Sequence, residues 1–218
     1  MIDLHTHTFL SDGVLTPSEL VQRASVRGYR ALGLTDHVDA GTLRPVLAAV
    51  LRTCGDLAGV TPAKPLPGVE ITHVPPPLIG ALASRARRYG AHLVVVHGET
   101  LVEPMAEGTN RAAVEADIDL LAHPGLVEER ILRRAADRGI YLELSARAGH
   151  SLGNGHLVSL ARQLDALEWL VVSSDTHTPS DLLSDARRRA VCRGAGLSST
   201  ETTLIEQNAE RLLRKVER

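Results

Sequence analysis

The chain reads as an α/β protein, a single domain over residues 1–218 folded as a closed or nearly closed β/α barrel. Three observations predict this. Short apolar runs alternate with helix-like segments along the whole length. The runs are nearly continuous in apolar residues, as strands of a parallel sheet covered on both faces must be. Side chains capable of metal or acid–base chemistry follow those runs directly, which is where a barrel gathers its functional groups.

Seven strands are expected, over 2–5, 31–35, 68–72, 92–97, 118–123, 140–144 and 170–173. Helices are expected over 17–27, 43–54, 78–89, 110–116, 128–138, 155–164, 181–195 and 206–216. The first helix opens on Thr16-Pro17-Ser18-Glu19. Thr caps it, Pro suits the first helical position, and Glu19 closes a capping box. Thr178-Pro179-Ser180-Asp181 resembles a second such start, and Gly28, Gly90, Gly139 and Gly194 sit where helices should stop. Strand–helix alternation at this spacing implies right-handed βαβ units. The segment 61–77, with Pro62, Pro65, Pro67 and Pro75-Pro76-Pro77, reads as rigid loops near the mouth around Glu70.

At 218 residues and 44% hydrophobic, the chain suffices for one sizeable core. Cys54 and Cys192 are too few for a disulfide framework or a cysteine-rich zinc site. The net charge of −2 gives no global basic field. One Trp, three Tyr and one Phe do not make a base-stacking platform, so the composition disfavours a nucleic-acid partner. Met1-Ile2-Asp3-Leu4 leads straight to His5 without the regions of a signal peptide. No apolar run approaches the ~20 residues of a membrane span. A cytoplasmic protein with no membrane partner is the expectation.

His5-Thr6-His7 puts two imidazoles two apart, on one face of an extended chain and within reach of one metal. Asp12 follows in the turn Ser11-Asp12-Gly13, and Asp3 is placed to orient a ligand from behind. Thr35-Asp36-His37 ends the second strand, Glu70 lies on the third, His97 ends the fourth and His123 the fifth. Asp175 and His177 end the seventh. A lone His after an apolar run is ordinarily a hydrogen-bonded core residue. Five such strand ends drawn from ten histidines are not accounted for by chance. Imidazole and carboxylate together suit zinc, manganese or iron.

In these motifs the chain resembles the PHP (polymerase and histidinol phosphatase) family. Asp3-Leu4-His5-Thr6-His7-Thr8, Thr35-Asp36-His37, Ala122-His123-Pro124 and Ser174-Asp175-Thr176-His177 occur in that order, with Glu70 and His97 between them. The resemblance implies a distorted seven-stranded, TIM-like β/α barrel and three divalent metal ions (zinc, manganese or iron). It implies His5, His7, Glu70 and Asp175 around the first metal. Asp12, His37 and His177 belong to the second, and His97 and His123 to the third, with Glu70 bridging first and third.

Two adjacent cations lower the pKa of a bridging water, so metal-bound hydroxide is the expected nucleophile. A protein cation should steady the phosphoryl oxygens. Arg147, in Leu144-Ser145-Ala146-Arg147-Ala148-Gly149-His150, follows the one strand without an assigned ligand and suits a bidentate grip on phosphate. His150 and Asn154 are placed to contact substrate, His150 also to protonate the leaving group, and Arg111 is a further phosphate candidate. Glu99, Glu103 and His73 lie near strand ends as supporting or substrate-facing groups.

The leading expectation is hydrolysis of a small phosphomonoester, as by a histidinol-phosphate phosphatase. A phosphodiesterase or nuclease is the alternative within enzymes. A non-catalytic, metal-stabilised interaction module is the alternative outside them. The sequence is silent on oligomeric state.

Overall fold

The computed structural model describes residues 1–217. Residue 218, the last of the domain expected over 1–218, lies outside the described residues. Parallel strands run β1 (Ile2–Asp3), β2 (Ala31–Leu34), β3 (His37–Val38), β4 (Lys64–Ile71), β5 (Leu93–His97), β6 (Leu120–Ala122), β7 (Tyr141–Ser145) and β8 (Leu170–Ser173). Helices α1 (Pro17–Val26), α2 (Leu43–Leu57), α3 (Pro76–Arg88), α4 (Thr109–Glu115), α5 (Glu129–Asp137), α6 (Asn154–Gln163), α7 (Asp185–Gly194) and α8 (Ser199–Val216) lie between and after them. The sheet order is β1-β2-β4-β5-β6-β7-β8, with the two-residue β3 pairing β4 where β2 has ended. This is the seven-stranded, nearly closed barrel expected of the sequence.

Closure between the first and last strands is confined to the mouth. Asp175 N donates to His5 O (3.1 Å), and His7 N donates to Thr176 O (2.8 Å). Asp3 reinforces the seam: its carboxylate accepts the backbone N–H of Ser174 at 3.2 Å and of His5 at 3.4 Å. Its role is thus to join strands through the backbone, not to orient an imidazole as the sequence suggested.

Alternate residues of the strands fill the barrel. Leu66, Leu93, Val95, Leu120, Ala122, Tyr141 and Val171 form an inner cluster, and Leu212, Leu213 and Val216 of α8 close it from below. The outer faces pack against the helices in a larger cluster. The apolar interior therefore stops where Glu70, His97 and Glu143 appear at the same parity on β4, β5 and β7.

Several boundaries differ from expectation for local reasons. The 61–77 segment is not all loop, because β4 begins at Lys64. Lys64 N donates to Arg30 O on the β2 side and His92 N donates to Pro67 O on the other. Pro65 and Pro67 thus turn their missing donors toward the edge that β5 meets only from Gly68 onward. Thr178–Asp181 is a turn instead of a helix start: Asp181 accepts from Thr178 N, Thr178 Oγ1 and His177 N. Helix α7 starts after Ser184, whose hydroxyl accepts Arg187 N. Helix α8 starts seven residues before the expected 206, at a Ser198/Glu201 capping box. Among the described residues, no helix is long and apolar enough to cross a membrane.

Removing the α8 plug tests this account of closure. Leu212→Ala, at a fully buried position, should lower the unfolding free energy by about 2–5 kcal/mol in a urea titration. A loss well below 1 kcal/mol would mean that α8 does not hold the barrel floor.

Candidate metal centre

The loops at the C-terminal ends of the strands bring ten imidazole or carboxylate side chains together. His5, His7, Glu70, His97, His123 and Asp175 are each no more than 2% exposed, and His37 and Asp12 form the more open side. Two ligand candidates sit on left-handed backbone, His123 at φ 25° and Asp175 at φ 53°. That conformation costs on the order of 1 kcal/mol or more for a non-glycine residue. It turns both side chains back over the barrel mouth.

Three groups of donors stand out. His5 Nε2, His7 Nε2 and the Glu70 and Asp175 carboxylates converge. The two imidazole nitrogens are 3.0 Å apart, His5 Nε2 is 3.3 Å from Glu70 Oε1, and His7 Nε2 is 3.2 Å from Asp175 Oδ1. Asp12 lies between His177 Nε2 (3.1 Å) and His37 Nε2 (3.5 Å), with His7 Nδ1 4.0 Å away. His7 therefore faces both groups, one nitrogen to each. In the third group, one ring nitrogen from each of His97, His123 and His150 lies within 4.8 Å of the others. Glu70 adjoins all three regions, at 2.6 Å from His37 Nδ1 and 3.7 Å from His123 Nε2.

The supporting contacts aim these rings. His5 Nδ1 donates to Glu143 Oε1 (2.8 Å), and Glu143 Oε2 accepts the backbone N–H of His123 (3.0 Å). His177 Nδ1 donates to Asp175 O (2.9 Å) and His97 Nδ1 to Gly98 O (3.1 Å), so each keeps Nε2 for the centre. Asp36 accepts from Thr8 N, Thr8 Oγ1 and Ser11 Oγ, holding the turn that carries Asp12. Glu143 was missed in the sequence, although a carboxylate inside Tyr141-Leu142-Glu143-Leu144 is a visible signal.

The other expected site residues divide. Arg147 reaches the rim, with Nη1 donating to Asp175 O (3.3 Å) and Nε 3.9 Å from Asp175 Oδ2. His150 enters the cluster. Asn154 does not face it: Oδ1 accepts Ser145 N and Nδ2 donates to Ser145 O, so the amide fastens α6 to the end of β7. Arg111 lines a separate groove with Glu107, Leu126 and Glu128.

Charge in the cluster is shared among buried groups. Burial opposes a proton on His5, but the carboxylates of Glu143, Glu70 and Asp175 outweigh it and hold the imidazole protonated well above its usual range. Burial likewise opposes His37, and Glu70 and Asp12 raise it to about 10. His7 is driven down to about 3 by burial and then by the neighbouring His37. Burial alone would raise Glu70, yet His5 and His37 keep it well below the carboxylate range. Three buried atoms, His7 Nδ1, Glu70 Oε1 and His123 Nδ1, have no hydrogen-bond partner. A buried polar atom without a partner costs about 1–3 kcal/mol. Imidazole and carboxylate donors left unpaired within one buried cluster fit divalent cations.

Cations entering the centre must displace the protons on His5 and His37. Their raised pKa values mean that both protons are present at neutral pH and are lost only above it. Titration of metal-free protein with zinc should therefore release protons into weakly buffered solution, and zinc affinity should rise with pH across 6–8. An affinity independent of pH over that range would show that the two imidazoles do not bind the cation. Glu143→Ala, which leaves His5 unoriented, should weaken zinc about 10–100-fold by chelator competition.

The chain is similar to several known proteins. An uncharacterized protein of Methanocaldococcus jannaschii is 39% identical over 216 residues, 97% of this chain and 98% of its own length. A 3',5'-nucleoside bisphosphate phosphatase of Chromobacterium violaceum is 49% identical over 51 residues, 23% of this chain and 18% of that enzyme. A 5'-3' exoribonuclease of Haemophilus influenzae is 57% identical over 35 residues, 16% of this chain and 13% of its own. In fold, the chain is similar to a histidinol phosphate phosphatase from Lactococcus lactis, solved with zinc, L-histidinol and phosphate. The TM-score is 0.62 at 14% identity, over 90% of this chain and 94% of that one. The PHP domain model matches residues 3–177, which include every residue of the three donor groups, and the chain belongs to the PHP domain family.

Proposed function

We propose that the protein is a metal-dependent phosphoesterase that hydrolyses phosphomonoesters of small molecules. The observation that carries this reading is a guanidinium on the rim of a buried histidine–carboxylate cluster. Arg147 is the side chain that turns a metal centre into a phosphate site.

His5, His7, Glu70 and Asp175 would hold one divalent cation, Asp12, His37 and His177 a second, and His97 and His123 a third. Such cations, when bound, supply charge for the phosphoryl oxygens and acidify water at neutral pH. The protein's own part is placement and exclusion of water. Arg147 presents a planar, permanently charged fork beside Asp175, suited to two phosphoryl oxygens. Its backbone is held by the bond from Arg147 N to Ser145 Oγ (3.2 Å) and by Ser151 N donating to Arg147 O (3.0 Å). The loop thus presents the guanidinium from a fixed base.

Two cavities flank the cluster. One of about 360 Å³ is lined by Arg147, His177, Thr178 and Arg187. The other, of about 390 Å³, is lined by Asp12, His37, Thr72, His73 and Glu103. These sizes suit a small ligand. The first offers guanidinium groups for the phosphate. The second mixes carboxylates, imidazoles and hydroxyls, which suits a polar organic part. The small size of both cavities, with the scarcity of aromatic residues, favours a small monoester over a nucleic-acid strand. The short exoribonuclease match supports the diesterase alternative, which the following assay separates.

Phosphate release from a panel of small monoesters, beside diesters and short oligonucleotides, with zinc, manganese or iron supplied, tests the reading. Monoesters should turn over and diesters should not. Turnover of oligonucleotides alone would make the protein a nuclease. Arg147→Ala should reduce kcat/KM by about 2–4 kcal/mol of transition-state stabilisation with metal content unchanged, and Arg147→Lys should recover only part. Unchanged kcat/KM in Arg147→Ala would remove Arg147 from the site.

A further inference from the structure

We propose that His150 and Glu103 complete the third cation site with His97 and His123, and that a cation there fastens the loop after β5 to the loop after β7. The inference deepens the metal-dependent reading above and rests on it. In the sequence, His150 stands as a substrate contact or proton donor. Its surroundings assign it differently.

Strands β5, β6 and β7 are neighbours in the sheet, so the loops that follow them are stacked side by side. Two glycines let these loops approach closely. Gly125, at φ +66°, is so near the preceding loop that an added methyl would lie 2.1 Å from Glu99 O, and one added to Gly149 would lie 2.6 Å from Val102. This layering carries His150 inward. It is only 7% exposed, and its ring stacks on His123 with centroids 4.1 Å apart and planes at 20°.

One contact bears on the tautomer. His150 Nδ1 lies 2.7 Å from the hydroxyl of Thr100, itself buried. With Nδ1–H donated to Thr100 Oγ1, Nε2 keeps its lone pair on the side of Glu103 and, at 3.9 Å, Asp175 Oδ2, and the ring as a whole groups with His97 and His123. This is the arrangement by which a ligand imidazole is usually oriented. Glu103 closes the outer side, with Oε1 3.3 Å from His150 Nε2 and Oε2 3.2 Å from His97 Nε2. Three imidazoles form the convergent donor group, and the Glu103 carboxylate beside two of them is available as a fourth donor, imidazole and carboxylate being zinc ligands. The Asp12 side differs, since Asp12 is half exposed and opens onto a cavity. Arg147 lies three residues before His150, so a cation held by His150 also fixes the base from which Arg147 reaches the rim.

The test uses zinc-loaded full-length protein. Cations per chain are counted by elemental analysis, the weakest equivalent is measured by chelator competition, and hydrogen exchange is followed over 99–106 and 147–153. His150→Ala should hold one equivalent fewer than the natural protein and exchange faster in both loops. Thr100→Val, which keeps every imidazole, should weaken that equivalent about 10–100-fold while the others stay unchanged. If His150→Ala and Thr100→Val both bind as many cations as tightly as the natural protein, the inference is wrong, whatever the protein hydrolyses. Loss of one equivalent in a protein that hydrolyses no monoester would support the clasp and overturn the phosphatase reading.

Discussion

The structure is organised around a concentration of imidazole and carboxylate groups in a place from which water is excluded. His5, His7, Glu70, His123 and Asp175 are essentially inaccessible, yet their donor atoms lie 3–4 Å apart. Isolated charges in such surroundings would be severely penalised. Protons on His5 and His37 offset part of the negative charge of Glu70 and Asp175, but a proton satisfies one direction at a time. His7 Nδ1, Glu70 Oε1 and His123 Nδ1 stay without partners. Divalent cations answer all of these demands at once, because each accepts several donors and brings two charges. The cluster is thus poorly resolved as a protein interior and well resolved as a cation site.

The barrel supplies what that constraint requires. Below the mouth the interior is dry and filled by strand side chains and the end of α8, so the strand ends are rigid. At the mouth, Asp3 and the backbone bonds between His5, His7, Asp175 and Thr176 hold the first and last strands together. This seam sets His5 and His7 against Asp175. Left-handed backbone at His123 and Asp175 and close loop packing at Gly125 spend some local stability to converge the donors. Cations binding there would offset that cost, since a ligand that binds the folded state alone stabilises it.

Much of this was legible in the sequence because buried parallel strands are apolar from end to end, and a polar residue that ends one must have a reason to be there. His97 after Leu93–Val96 and His123 after Leu120–Ala122 announce themselves this way. Glu143 did not, because a single carboxylate between Leu142 and Leu144 resembles ordinary alternation. Its meaning depends on His5, 138 residues away. Strand β4 was hidden by its prolines, whose tolerance depends on which neighbour each missing donor faces. The start of α8 was hidden among Ser and Thr residues, although its capping box was present. The placement of His150 beside His97 and His123, and of Asn154 against Ser145, depends on how loops from different strands stack. No local pattern encodes that.

Anomalous X-ray diffraction from crystals grown with zinc or manganese tests the central claim most directly. The account predicts strong peaks at three positions: among His5, His7, Glu70 and Asp175; among Asp12, His37 and His177; and among His97, His123 and His150. Crystals fully supplied with metal that show no anomalous peak at the barrel mouth would contradict it. The buried histidines and carboxylates would then be an ion-paired core, and the hydrolytic reading would fall with them.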